Sequence, residues 1–188
     1  MKPIYKIFVT IDKRYQDEVK TESGIVFYKD TSYKLEENST TEGIVVAIPD
    51  KYDRAMGTED FKANVQVGDK LYFNFLVTVD DENRIEIDGN EYWMVDYFQA
   101  IALVRDGKVM PVGDYILIEP IEEKIESSLI IPDMVEKEKT RGRIFASNEP
   151  DLEVGDEVEY ESVGKFWNII EGKRVYCMYS SNLLYKYI

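Results

Sequence analysis

The chain has 188 residues, with 23 Lys and Arg against 37 Asp and Glu, a formal net charge of −14, one Cys and no His. Without histidine, Ser-His and Cys-His nucleophilic catalysis and His-ligated metal chemistry are excluded. A single thiol, Cys177, can close neither an internal disulfide nor a Cys-rich zinc site.

The acidic excess disfavours binding driven by a nucleic-acid backbone or an anionic membrane surface. No apolar run approaches the ~20 residues that cross a bilayer, and residues 1–9 carry no leader cleavage pattern. With the lone thiol, these features set the expectation of a cytoplasmic protein. At 44% hydrophobic and 13% aromatic residues, the chain can build packed cores.

In chain order, Tyr5–Ile11 reads as a first strand, β-rich with an apolar centre. A long polar connection from about Asp12 to Thr41 follows, interrupted by Gly24-Ile25-Val26-Phe27. Gly43–Ile48 is the next strand, and residues 61–66 (FKANVQ) are the best helix candidate, barely two turns. The turn Val67-Gly68-Asp69 leads into a predicted strand over Leu71–Val77, and Arg84–Asp88 alternates as a half-buried strand should. After the Asp88–Asn90 turn and a strand around Trp93, Arg105–Lys108 forms a further turn. Tyr115–Ile118 opens a second series: a connection holding Leu129-Ile130-Ile131, a strand at Thr140–Ala146, a turn at Val154-Gly155-Asp156, and the Val175–Tyr179 strand. The pattern predicts an all-β fold of many short strands.

The two series are one unit repeated. Pro3 and Pro111 lie 108 positions apart, Thr41 and Thr140 lie 99, Gly68 and Gly155 lie 87, and Gly89 and Gly172 lie 83. The shrinking offset assigns the first copy about 9 extra residues before Thr41 and about 12 between Ala47 and Gly68, where loops absorb insertions. The expected domains are 1–107 and 108–188, meeting at the Arg105–Lys108 turn. They share the charge evenly, at 13 basic against 21 acidic residues and 10 against 16.

Each half resembles the GroES co-chaperonin family. The second carries the family's opening as Pro111-Val112-Gly113-Asp114-Tyr115-Ile116-Leu117-Ile118, its T-R-G strand as Thr140-Arg141-Gly142-Arg143-Ile144, and its V-G-D turn as Val154-Gly155-Asp156. The first keeps that turn as Val65-Gln66-Val67-Gly68-Asp69, and closing strand pairs are matched at Tyr92–Val104 and Val175–Ile188. The resemblance implies two tandem GroES-like small β-barrels in a homo-oligomeric ring that caps a GroEL-like chaperonin. ATP would be bound by that partner and no cofactor by this chain. It implies a mobile loop carrying the contact residues: Gly24, Ile25, Val26 and Phe27 in the first copy, Leu129, Ile130 and Ile131 in the second, where Ser128 replaces the glycine. Pro49–Asn64 has the length for the family's roof hairpin, whereas Ser147–Asp151 is too short, so the copies are unequal. Rings of seven in the family also sit awkwardly with two barrels per chain.

Three consecutive apolar residues inside a long charged connection are poorly explained by a core and suit a segment that orders on a partner; the bland alternative is ordinary edge strands. Asp80-Asp81-Glu82 lacks the spacing of a calcium loop and reads as a charged turn. Glu122-Glu123 and Lys137-Glu138-Lys139 read as solvated loops, Trp93 and Trp167 as core residues, and Cys177 as a small core residue. No carboxylate pair stands out for acid–base work, so no enzyme is expected. Zinc ligands and a nucleotide-binding half, which would suit the GroES-like part of an alcohol dehydrogenase, are missing. The competing function is a GroES-like structural or interaction protein of a large assembly such as a virion.

Overall fold

The computed structural model describes residues 2–21, 23–28, 30–31, 34–50, 64–121 and 140–187. The chain divides into two compact units, Met1–Val112 and Gly113–Ile188. The Arg105–Lys108 turn is a hairpin tip inside the first unit, because the strand that follows it folds back on the strand before it.

The first unit contains β1 (Ile7–Thr10), β2 (Glu18–Lys20), β3 (Val26–Tyr28), β4 (Glu42–Ala47), β5 (Lys70–Phe73), β6 (Arg84–Ile87), β7 (Asn90–Val95), β8 (Ala100–Arg105) and β9 (Lys108–Pro111). Two one-turn helices, α1 (Leu35–Asn38) and α2 (Leu76–Val79), interrupt them. The second contains β10 (Tyr115–Pro120), β11 (Arg141–Ala146), β12 (Glu157–Tyr160), β13 (Phe166–Ile170), β14 (Lys173–Tyr179) and β15 (Leu183–Lys186). The sheet orders are β6-β7-β1-β4-β5-β8-β9 and β13-β14-β10-β11-β12-β15, all antiparallel. Mapping each strand onto its repeat partner turns one order into the other, with β9 the only addition. The expected all-β architecture of two small barrels is therefore present.

Each barrel closes on its own core. Ile7, Val9, Val45, Leu71, Phe73, Trp93, Val95 and Leu103 pack together in the first. Ile116, Ile118, Ile144, Val158, Tyr160 and Met178 do so in the second. Strand alternation supplies these residues: Ile7 and Val9 point one way from β1, while Phe8 turns to the other face and stacks on Tyr92. Cys177 is a free, fully buried thiol on β14, and burial pushes its pKa up.

Curvature comes from irregularities repeated at equivalent places. The β1–β4 register shifts between Phe8 and Val9, and the β10–β11 register between Leu117 and Ile118. Just beyond each bulge the T-x-G glycine lets two strands approach. A Cβ on Gly43 would stand 2.7 Å from the Thr10 carbonyl oxygen; one on Gly142 would stand 2.3 Å from Ile118 Cγ2 and 2.8 Å from the Glu119 carbonyl oxygen. Backbone oxygens in a paired strand cannot step aside.

The V-G-D turn is a second shared device. Gly68 N–H donates to the Val45 carbonyl at 2.8 Å, as Gly155 N–H does to Ile144 at 2.8 Å. Asp69 Oδ2 accepts the Gln66 N–H at 2.6 Å, and Asp156 Oδ2 accepts that of Glu153 at 2.7 Å. A cation from the last part of the barrel completes each turn. Arg105 grips Asp69 bidentately at 2.8 and 2.7 Å, and Lys186 reaches Asp156 at 2.7 Å.

Three expectations are corrected. The strand read over Leu71–Val77 ends at Phe73, because Asn74 Oδ1 accepts the Leu76 N–H at 3.0 Å and starts the α2 turn. Trp93 is buried, but Trp167 lies half-buried with the Arg174 guanidinium 4.7 Å above its ring, so it is not a core residue. In the helix candidate at 61–66, residues 61–63 lie outside the described residues and 64–66 are not helical. Most of the roof candidate at 49–64, and the loops at 122–123 and 137–139, also lie outside them.

Two predictions follow from these devices. Gly142→Ala should lower the stability of the second unit by ~1–3 kcal/mol, read as a lowered urea midpoint; an unchanged midpoint would mean the strands part freely at the bulge. The second concerns acid. Burial alone would raise the Asp69 carboxyl, yet the Arg105 guanidinium and the Gln66 N–H hold it below its ordinary value. The Lys186 ammonium and the Glu153 N–H lower Asp156 likewise. Folded values below the unfolded one make both contributions fully present above about pH 4, and lost as pH falls through the folded values. Urea midpoints should therefore fall on the acid side, and Asp69→Asn should flatten that fall for the first unit while leaving the near-neutral slope unchanged.

Candidate functional site

The longest departure from the barrel plan in the first unit is the connection between β1 and β4. Its base is tied down by backbone pairing. Gln16 N–H donates to the Asn38 carbonyl at 2.7 Å, and Thr40 N–H to the Arg14 carbonyl at 3.0 Å; Tyr15 and Ser39 bridge as an isolated β-pair. Thr40 Oγ1 donates to the Lys13 carbonyl at 2.5 Å, and residues 38–40 are buried.

Arg14 locks that base to the barrel. Its Nε donates to the Thr78 carbonyl at 2.7 Å, its Nη2 to the Val79 carbonyl at 2.9 Å, and its Nη1 pairs with Asp81 at 2.7 Å. The guanidinium also lies 5.3 Å from the Trp93 ring centroid and 5.1 Å from that of Tyr15. From the other side, Thr78 Oγ1 donates to the Thr40 carbonyl at 2.8 Å. The last α2 carbonyls, which have no donor within the helix, are satisfied by this guanidinium. Asp80, read as a charged turn residue, accepts the Glu82 N–H at 3.0 Å.

Above this base, Lys13 pairs with Asp17 and, at 3.0 Å, with Glu18. These hydrogen bonds raise the lysine pKa, and the bond to Lys13 lowers that of Asp17. β2 and β3 then form a hairpin of their own, with Glu18 opposite Tyr28, Val19 opposite Phe27 and Lys20 opposite Val26. Its turn is closed by Thr21, whose N–H donates to the Ile25 carbonyl at 2.9 Å and whose Oγ1 accepts the Ile25 N–H at 3.0 Å. Gly24 sits at φ +82, a conformation that costs a Cβ-bearing residue roughly 1–2 kcal/mol.

Four consecutive apolar or aromatic side chains are displayed there. Ile25 and Phe27 are each 56% exposed, Val26 lies at the margin of exposure, and Tyr28 is 73% exposed. Successive strand residues face opposite ways, so both faces of the hairpin present apolar surface to solvent. A two-stranded hairpin of this length has marginal stability alone, and contiguous exposed apolar surface marks an interaction site. The structure thus brings Gly24, Ile25, Val26 and Phe27 together at one tip. Leu129, Ile130 and Ile131 lie outside the described residues, although the stem of their connection closes where Ile121 N–H donates to the Arg141 carbonyl at 3.1 Å.

The family of the chaperonin 10 Kd subunit matches residues 2–104, more than half of the chain and the loop-bearing unit from its start into β8. The chain belongs to that family, the GroES-like co-chaperonins. No curated protein matches the chain. Co-chaperonins of this family are partners of GroEL-like chaperonins and not enzymes. Among the described residues no cluster of His, Cys, Asp and Glu could hold a metal ion, and no helix is long and apolar enough to cross a membrane.

The sequence reading missed Arg14 and Tyr28. Tyr28 extends the apolar run by one residue, which its adjacency to Phe27 could have flagged. Arg14 carried one weak signal, as the only arginine in the connection and the neighbour of Tyr15. Its partners lie 64 and 65 residues away, beyond any local pattern.

Arg14→Met should release the base of the loop. We expect faster amide hydrogen exchange at residues 13–16 and 38–40, and a loss of ~1–3 kcal/mol in stability of the first unit. Exchange confined to the hairpin tip, with the base unchanged, would show that backbone pairing alone fixes it.

Proposed function

We propose that this co-chaperonin caps a GroEL-like chaperonin through the β2–β3 hairpin tip and so assists ATP-dependent protein folding in the cytoplasm, the nucleotide being bound by the partner. Gly24, Ile25, Val26 and Phe27 are the contact residues, with Leu129, Ile130 and Ile131 as their counterparts in the second barrel. That barrel is read as a second member of the same family, on the ground of a strand order that is the same but for β9 and of matching bulges.

The observation that carries the reading is the hairpin itself: consecutive apolar side chains held out in solvent on a tip whose base is clamped. Burying three such side chains gives ~1.5–3 kcal/mol each, and association entropy offsets much of it. One loop is therefore a weak ligand. Several loops on a homo-oligomeric ring convert weak contacts into avid but reversible capping, which suits a cage that must reopen. The preformed hairpin reduces the ordering cost that a disordered loop would meet.

The test is co-migration with a GroEL-type chaperonin in the presence of ATP. The wild-type chain should co-elute, and a variant with Ile25, Val26 and Phe27 replaced by Ser should lose at least tenfold in affinity while unfolding normally. Absence of a complex with wild type, or a complex indifferent to the replacement, would sink the reading.

A further inference from the structure

The end of the first barrel from which the loop leaves carries apolar surface that the second barrel replaces with smaller, more polar side chains. Beyond β5 the chain turns through Phe75 into α2, and just before β8 a single 3-10 turn spans Tyr97–Gln99. The two are joined, because Asn74 N–H donates to the Gln99 carbonyl at 2.9 Å. The 3-10 turn is also closed on itself. Gln99 Oε1 accepts the Asp96 N–H at 3.1 Å, and Gln99 N–H donates to the Asp96 carbonyl at 2.9 Å. On this fixed backbone Leu76 is 49% exposed and Phe98 is 47% exposed.

Backbone pairing identifies the equivalent positions in the second barrel. Phe73 N–H donates to the Thr41 carbonyl at 2.9 Å, as Tyr160 N–H does to that of Thr140 at 2.8 Å. Glu161 N–H donates to the Asn182 carbonyl at 2.9 Å, as Asn74 does to Gln99. Phe75, Leu76 and Phe98 therefore correspond to Ser162, Val163 and Ser181. The same backbone is built with two serines and an exposed valine, so closing it does not require two phenylalanines and a leucine. Large apolar side chains held in solvent where the fold does not demand them mark a contact surface.

The position of the patch says what covers it. Arg14 and Thr78 tie α2 to the base of the loop, through the Thr78 and Val79 carbonyls on one side and the Thr40 carbonyl on the other. A body that receives the hairpin tip is thus brought to the end of the barrel where Leu76 and Phe98 lie. The rim gives the sign of the charge it should carry. Asp80 N–H closes α2 on the Leu76 carbonyl at 3.1 Å, and Asp80-Asp81-Glu82 follow, all exposed. Arg14 meets Asp81 at 2.7 Å, and Asp80 and Glu82 leave the rim acidic.

We propose that Leu76 and Phe98 form a second docking contact for the GroEL-like chaperonin, seated on apolar surface of that partner with basic side chains beside it. The inference rests on the capping reading above and adds to the loop a fixed contact at the loop's root. The tip supplies reach, and a barrel held by its tip alone is free to swivel. Once the tip is bound, the patch meets its site at high effective concentration, so a small apolar area is enough to fix the orientation. The contact belongs to the first barrel, since Ser162 and Ser181 stand at the matching places in the second.

The test measures affinity of the full chain for a GroEL-type chaperonin in ATP. Leu76→Ser combined with Phe98→Ser gives the first barrel the polar character with which the second is built. Affinity should fall roughly fivefold or more, with urea unfolding of the first unit unchanged. Glu82→Lys touches no core residue and carries the same test should the serine pair lower stability. It should weaken binding and make it less sensitive to salt. Binding that is lost on replacing Ile25, Val26 and Phe27 but is indifferent to these variants would overturn the patch and leave the loop reading intact. Absence of a complex with wild type would overturn both. Unchanged chaperonin binding with weakened self-association in the serine variant would overturn the proposal in favour of a contact between copies.

Discussion

The close approach of β1 to β4, and of β10 to β11, is the constraint around which each barrel is built. A strand of four to six residues cannot enclose a core unless the sheet bends sharply, and the bulge at Phe8/Val9 or Leu117/Ile118 supplies the bend. The bend brings a backbone oxygen to within 2.7 or 2.8 Å of where a Cβ would stand, so only glycine fits. The V-G-D turn then fastens the same strand from its far end, through the paired bonds of Val45 and Ile144. Bulge, glycine and carboxylate act on one strand, which is why all three recur together in both copies.

That rigid frame sets what the loop can do. The connection from β1 leaves a strand fixed by the bulge and returns to one fixed by the turn, and Arg14 adds a third tie to α2. The described side chains of the hairpin tip at 25–28, beyond the Lys13–Glu18 ion pair, belong to no core cluster. An apolar tip on a polar, clamped stem reconciles two demands: the side chains stay available to a partner, and the cost of ordering them is already partly met.

Much of this was legible because the sequence states it locally. Turn chemistry marked the strand boundaries, and the repeated Gly at T-x-G and V-G-D reported backbone geometry that no other residue tolerates. The apolar run at 25–27 was legible through its incongruity with the charged residues around it. What stayed hidden was long-range or side-chain-to-backbone in character. Asn74 ends β5 by capping with its own side chain, against the apolar run that argued for a longer strand. Trp167 resembles Trp93 in sequence context, but its strand β13 is outermost in its sheet and leaves the ring under Arg174. Arg14 acts on carbonyls more than sixty residues away. Periodicity cannot encode such contacts.

The inequality of the copies gives the fusion a physical purpose. A barrel of this topology presents an edge strand, and an exposed edge with an apolar cavity is a liability unless something covers it. In the first unit the cover is β9, which runs directly into β10, so the closure is supplied in cis at a very high effective concentration. In the second, β15 is paired only with β12 among the described residues. A chain made of one barrel would have to find every such cover by collision. A two-barrel chain needs half as many. Under the ring reading proposed above, halving the association steps per loop would ease assembly against the repulsion that a charge of −14 imposes.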